Sequence, residues 1–221
     1  MSTVPVRITI DRHPTNGTAS IRGSFGSNRV ELEVHRGATN GDAHIEGGIG
    51  SDRVELTFGR DAAEGYNSLN GHIGGRRLEG TIQRGMPDGD TTLSLNGHRL
   101  EIDRSNQGRQ VDLRGDVRGH VERELREGDE QVDLTSHGLR FCIDRDPRSG
   151  GFEIRNTNSE RYRLNLERDQ DGDLHLEGRL PSQLGLFPVL WEVFGDDKNI
   201  PDHNPLYPGS VAAMSVFVGE R

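Results

Sequence analysis

Arg29-Val30-Glu31-Leu32-Glu33-Val34-His35-Arg36 is the stretch that decides the fold of this chain. Val30, Leu32 and Val34 fall on one side of an extended backbone and Glu31, Glu33 and His35 on the other. That period of two belongs to a strand with one buried face. The stretch returns 24 residues later as RVELTFGR, with Val54, Leu56 and Phe58 in the apolar positions. Outward from it, eight alternating stretches stop at an arginine: Arg12, Arg36, Arg60, Arg84, Arg104, Arg126, Arg145 and Arg168, the first four spaced evenly by 24. Self-similarity at a fixed period of this size means one supersecondary unit copied many times.

Between these stretches lies a second set of strands in which glycine separates two apolar positions. Examples are Ile21, Gly23 and Phe25; Ile45, Gly47 and Ile49; Leu69, Gly71 and Ile73; Leu113, Gly115 and Val117; and Leu176, Gly178 and Leu180. A mid-strand position without a side chain marks a bend, a bulge or the close approach of another element, so a curved sheet is expected. Two kinds of connection alternate. Gly26-Ser27-Asn28, Gly50-Ser51-Asp52, Asn96-Gly97 and His137-Gly138 supply the positive-φ residues that tight hairpin turns need, whereas longer polar loops such as HPTNGT, GATNGD and DQDGD follow the arginines. A solenoid of 24-residue coils would need less complete chain reversal at these points, which favours hairpins. The count gives sixteen strands of roughly 6–8 residues in an up-and-down antiparallel meander.

The repeat occupies residues 1–180, and 181–221 differ. This segment holds five of the eleven aromatic residues and five of the nine prolines, and its apolar residues come in clusters. LFPVLWEVFG and SVAAMSVFVGER read as short helices, the second with Ser210 as N-cap and Val211, Met214, Phe217 and Val218 at helical spacing. A barrel of sixteen strands leaves a wide lumen that cannot stand empty of protein atoms. The expected architecture is therefore all-β, a barrel, flattened barrel or two-sheet sandwich, with an apolar, partly helical C-terminal segment packed on or inside it in the same domain.

Composition excludes several classes. The hydrophobic fraction is 30%, but 27 basic residues against 36 acidic ones give no signature of disorder, and a net charge of −9 argues against a nucleic-acid partner. MSTVPVRITIDRH has neither the basic nor the apolar region of a secretion signal, no apolar run reaches 18 residues, and no aromatic girdles recur at strand ends. A cytoplasmic protein with no membrane partner is expected. Cys142, alone in the chain, lies on the alternating stretch LRFCIDR and reads as a strand residue rather than a nucleophile. The histidines lack zinc spacing, and neither a phosphate-binding glycine loop nor a nucleophile elbow occurs.

Three groups of residues have chemical potential. Arg12, Arg36, Arg60, Arg84, Arg104, Arg145 and Arg168 share the parity of the apolar face at its end, so they should line one rim. Such a ring suits the head of an amphipathic anion; the plainer reading is that the stems cover the core edge and the guanidiniums bond loop carbonyls or loop acids such as Asp42, Asp90 or Asp173. Asp169, Asp171 and Asp173, with Glu177 beyond, resemble the spacing of a calcium loop, although the repeat itself accounts for an acidic loop there. Asp196, Asp197, Asp202 and His203 form a carboxylate–imidazole group in a non-repeating segment, where a hydrolytic or metal-dependent site would be grafted. Evenly spaced copies point first to a non-catalytic binding or scaffold protein that meets a protein partner or itself. A carrier of an amphipathic anion is the alternative, with an enzyme at the 196–203 segment behind it. No cofactor other than calcium is suggested.

Overall fold

Burial alternates along the strands as the sequence does. In the strand Asn28–Arg36 the side chains of Val30, Leu32 and Val34 are fully enclosed while Arg29, Glu31 and His35 face water. The computed structural model describes all residues except 1, 14, 16, 38–41, 62–65, 85–89, 105–108, 125–127, 147, 158–160, 195–207 and 220–221, and the side chains at 60, 61, 66 and 84.

Sixteen strands follow one another in chain order. They are β1 (Thr3–Arg12), β2 (Ala19–Phe25), β3 (Asn28–Arg36), β4 (Ala43–Ile49), β5 (Asp52–Asp61), β6 (Tyr66–Ile73), β7 (Arg76–Arg84) and β8 (Thr91–Leu95). The second half comprises β9 (His98–Arg104), β10 (Gln110–Gly115), β11 (Gly119–Arg123), β12 (Glu130–Leu134), β13 (Leu139–Arg145), β14 (Phe152–Asn156), β15 (Arg163–Arg168) and β16 (Leu174–Pro181). Each pairs antiparallel with its neighbours in sequence, and β1 pairs with β16, from Thr3 opposite Pro181 to Ile10 opposite Leu174. The sheet is thus a closed barrel rather than a two-sheet sandwich, and its first and last strands pair with each other instead of standing as edges. Strand lengths run from five residues in β8 to ten in β1 and β5, wider than the expected range.

The glycines make the curvature. At Gly23, Gly47, Gly71 and Gly178 φ lies between 139° and 150°, and a Cβ there would stand 1.9–2.1 Å from the carbonyl oxygen of Arg7, Glu31, Glu55 and Arg163, respectively. Only a residue without a side chain lets the neighbouring strand approach this closely.

Two helices fill the lumen: α1 (Phe187–Phe194) and α2 (Pro208–Gly219). Every residue of α1 is buried, as is every residue of α2 up to Val218. Phe194 meets Phe58 of β5 edge-on at 5.2 Å, and Trp191 meets Phe152 of β14 at 5.1 Å, strands on opposite sides of the barrel. Glu192 lies against the end of the barrel that carries the long loops. From there α2 runs back to the tight-turn end, where the guanidinium of Arg76 donates to the carbonyl of Val218. Ser210 is not the N-cap, because the helix starts two residues earlier at Pro208. The first-turn N–H of Gly209 is instead capped from the wall, by Glu130 Oε2 at 2.8 Å.

Among the described residues no helix is long and apolar enough to cross a membrane. The outward face of the sheet is laced with ion pairs such as Arg7–Glu177 at 2.7 Å and Arg114–Asp103 at 3.1 Å.

Candidate functional site

The parity that ends each odd-numbered strand on its inner side brings one arginine per strand to the loop-bearing rim. Arg12, Arg36, Arg84, Arg104, Arg145 and Arg168 close β1, β3, β7, β9, β13 and β15, and Arg60 is the next-to-last residue of β5. The side chains of Arg60 and Arg84, and the whole of Arg126, lie outside the described residues. β11 also ends on an arginine, Arg123, which stands on the inner side two positions after buried Val121.

Two of these arginines converge on one carboxylate. Arg12 donates from Nε to Glu192 Oε2 at 2.9 Å and reaches the same oxygen with a terminal nitrogen at 2.8 Å. Arg36 reaches Glu192 Oε1 at 3.4 Å and donates to the Glu192 backbone carbonyl. Glu192 is 3% exposed and its two partners 22%, so this is a largely desolvated triad. Removing one member of such a group strands a buried charge, which typically costs about 3–5 kcal/mol. The anion that Arg12 and Arg36 hold is the protein's own.

The acids flanking the ring bind its backbone rather than its guanidiniums. Asp173 Oδ1 accepts from the N–H of Arg12 at 2.7 Å, Asp90 Oδ1 from that of Arg104 at 2.8 Å, and Asp129 Oδ1 from that of Arg145 at 2.7 Å. Each of these acids immediately precedes a strand, and the bond staples it to the end of the adjacent strand. Asp90 and Asp173 were expected near the ring, but as partners of the side chains.

A second buried acid lies across the barrel mouth. Glu130, 1% exposed, opens β12 opposite Arg123 of β11 and points inward. Burial raises its carboxyl to about 7, against the opposing pull of the Gly209 N–H and of the Arg145 and Arg123 charges. Oε2 takes the Gly209 hydrogen bond, while Oε1 is buried with no hydrogen-bond partner among the described residues, as are Ser210 Oγ and Trp191 Nε1. The alternation had a legible signal here, since Glu130, Val132 and Leu134 share one parity. Likewise Glu192 is the one acid in LFPVLWEVFG, and a buried charge needs a partner.

In the acidic loop, Asp169 Oδ1 accepts from the N–H groups of Asp171 at 2.9 Å and Asp173 at 3.0 Å. Partial burial pushes its carboxyl up, but hydrogen bonds from His175 and from the Asp173, Asp171 and Gly172 N–H groups outweigh that and hold it below the ordinary carboxylate range. Its carboxylate thus organises the turn, and Asp173 is engaged by Arg12. Among the described residues no group of three or more His, Cys, Asp or Glu is placed to hold a metal. Asp196, Asp197, Asp202 and His203 lie outside the described residues. Cys142 is a free, buried thiol on the outer side of β13, between inward-facing Phe141 and Ile143.

The rim can hold carboxylates strongly and position them, and two of its arginines already hold one. Compared with known proteins, the chain matches no family model, no curated protein and no solved structure.

Proposed function

We propose that this protein is a non-catalytic binding or scaffold module whose working surfaces are the exterior of a plugged barrel. The observation that carries this reading is the plug. The lumen that would take the apolar tail of a carried molecule is packed with the side chains of α1 and α2, and Arg12 and Arg36 are engaged by Glu192 of that plug. A carrier needs an enclosed apolar site with a few convergent polar groups. Here both the apolar volume and those polar groups serve the fold, which weighs against an amphipathic anion as cargo. The exterior, by contrast, is a rigid cylinder with long loops at one end and tight turns at the other, and connecting segments on a rigid scaffold are where binding residues collect.

Native mass spectrometry of the purified full chain tests the reading. The expected spectrum contains the bare polypeptide mass, alone or as a discrete oligomer or protein complex. A stoichiometric small anion, retained by the wild type and lost on Arg168→Gln, would replace this reading with the carrier.

A further inference from the structure

We propose that the tight-turn end of the barrel docks on an anionic membrane surface. The expectation of no membrane partner rests on features of signal-directed or membrane-spanning chains, an apolar run of 18 residues or aromatic girdles, and these do not bear on docking at a membrane surface, whereas the fold sorts the chain's charge by position. Three successive hairpins repeat one pattern at the tight turns: Phe25 then Arg29, Ile49 then Arg53, Ile73 then Arg77, with three residues between each pair. The apolar member ends an even-numbered strand on the inner side, and the arginine is the second residue of the next strand, on the outer side. Phe25, Ile49 and Ile73, with Leu186 at the entry to α1, are the partly exposed hydrophobic residues packed against the core among the described residues. All four lie at this one end. The three arginines beside them are 78%, 80% and 72% exposed.

The basic ring continues past these hairpins. The turn segments 26–29, 50–53, 74–77, 96–99, 116–118 and 135–140 hold seven arginines against two acids, in a protein whose net charge is −9. Most of these arginines pair with an acid set further from the end. Arg53 reaches Glu55 at 3.4 Å, and Arg77 and Arg99 reach Glu79 and Glu101 at 2.8 Å. Exposed pairs of this kind contribute little, so a guanidinium can exchange its carboxylate for a lipid phosphate at small cost. Each acid lies two residues, roughly 7 Å, behind its arginine, so an approaching surface meets the cations first. The acidic loops at the far end stand more than a Debye length of about 8 Å away and are screened.

An apolar inner ring inside a basic outer ring matches the interfacial region of an anionic leaflet, where side chains such as Phe and Ile enter the acyl boundary and arginines meet headgroups. Duplex nucleic acid or an acidic peptide would use the arginines but leave Phe25, Ile49 and Ile73 without a role. The inference rests on the exterior-binding reading only in placing the partner outside the barrel. A co-purified cargo would overturn that reading without touching this test.

The test is co-sedimentation of the full chain with vesicles of phosphatidylcholine alone or mixed with phosphatidylserine. Binding to the mixed vesicles only is expected, weakening with added salt. R29Q/R53Q/R77Q should reduce it by about 100-fold, since each basic residue at a charged surface is worth about a fivefold factor. R22Q/R109Q/R148Q, which removes the same charge from the wall and the long-loop end, should leave it intact, and Ile73→Ser should weaken it several-fold. Circular dichroism checks that each variant is folded. Failure of the wild type to bind mixed vesicles would overturn the proposal, as would equal loss in the two triple variants. Tighter binding to a DNA duplex or an acidic peptide than to vesicles, with Ile73→Ser silent, would reassign the end to a soluble polyanion.

Discussion

Among the described residues, Glu130 has the carboxyl that burial raises furthest. Its carboxyl titrates at about 7 in the folded protein against an ordinary value of 4.5, because burial disfavours the charged form more than the Gly209 N–H, Arg145 and Arg123 favour it. Between those two values the folded state keeps a proton that the unfolded chain releases, so stability is fully present below about 4.5 and falls as the pH rises through about 7. The shift corresponds to about 3 kcal/mol. Glu130→Gln keeps an acceptor for Gly209 and removes the titration. Urea unfolding should find this variant more stable than the wild type by about 1–3 kcal/mol near pH 8 and equal to it near pH 4. Parallel pH profiles for the two proteins would assign the effect elsewhere. The rim arginines were legible residue by residue, because parity after Ile10 or Val34 dictates that Arg12 and Arg36 turn inward. Their partner was not: Glu192 lies 180 and 156 residues away, and no local pattern encodes a contact at that separation. For Asp90 and Asp173 the neighbourhood was readable but the donor atom was not, because a side-chain acid and a strand-end N–H look alike in sequence.

Among the elements, the even-numbered strands depend on glycine in a graded way. At Gly71 φ is 149° and a Cβ would meet the Glu55 carbonyl oxygen at 1.9 Å, whereas at Gly75 in the following turn φ is not positive and nothing lies within 4 Å. Gly71→Ala should therefore cost at least about 2–3 kcal/mol through backbone strain. Gly75→Ala should be neutral or stabilising by up to about 1 kcal/mol, because it restricts only the unfolded chain. Thermal unfolding of the two variants side by side checks both, and equal effects would mean that the bend relaxes. The glycine periodicity was sufficient to foretell a curved sheet, yet not which glycine tolerates a side chain, since that depends on how closely the adjacent strand passes. The start of α2 was misjudged for a related reason. Ser210 is a fitting N-cap by local propensity, but Glu130 supplies the cap from another element.

For the molecule as a whole, the decisive relation is between wall and filling. Inward-facing Val, Ile, Leu and Phe from the sixteen strands share one continuous core with α1 and α2. A chain ending after Pro181 would leave that wall facing an empty lumen. Such a variant should bind a hydrophobic dye, lose near-ultraviolet circular dichroism and unfold without a sharp transition; cooperative unfolding like that of the full chain would show that the wall stands by itself. The need for a filling was readable from strand count and aromatic content, because volume is a property of composition. Closure was not, since the pairing of Thr3–Ile10 with Leu174–Pro181 joins segments that no turn connects. The pairing bears on the order of assembly. Helices that follow all sixteen strands in the chain can seat against the concave wall while it is still open along one seam, which spares the wall an empty lumen. On that order β1, synthesised long before them, waits with its hydrogen bonds to β16 unmade, and this seam is the last to zip shut; pulse-labelled hydrogen exchange that found β1 and β16 protected before α1 and α2 would reverse it.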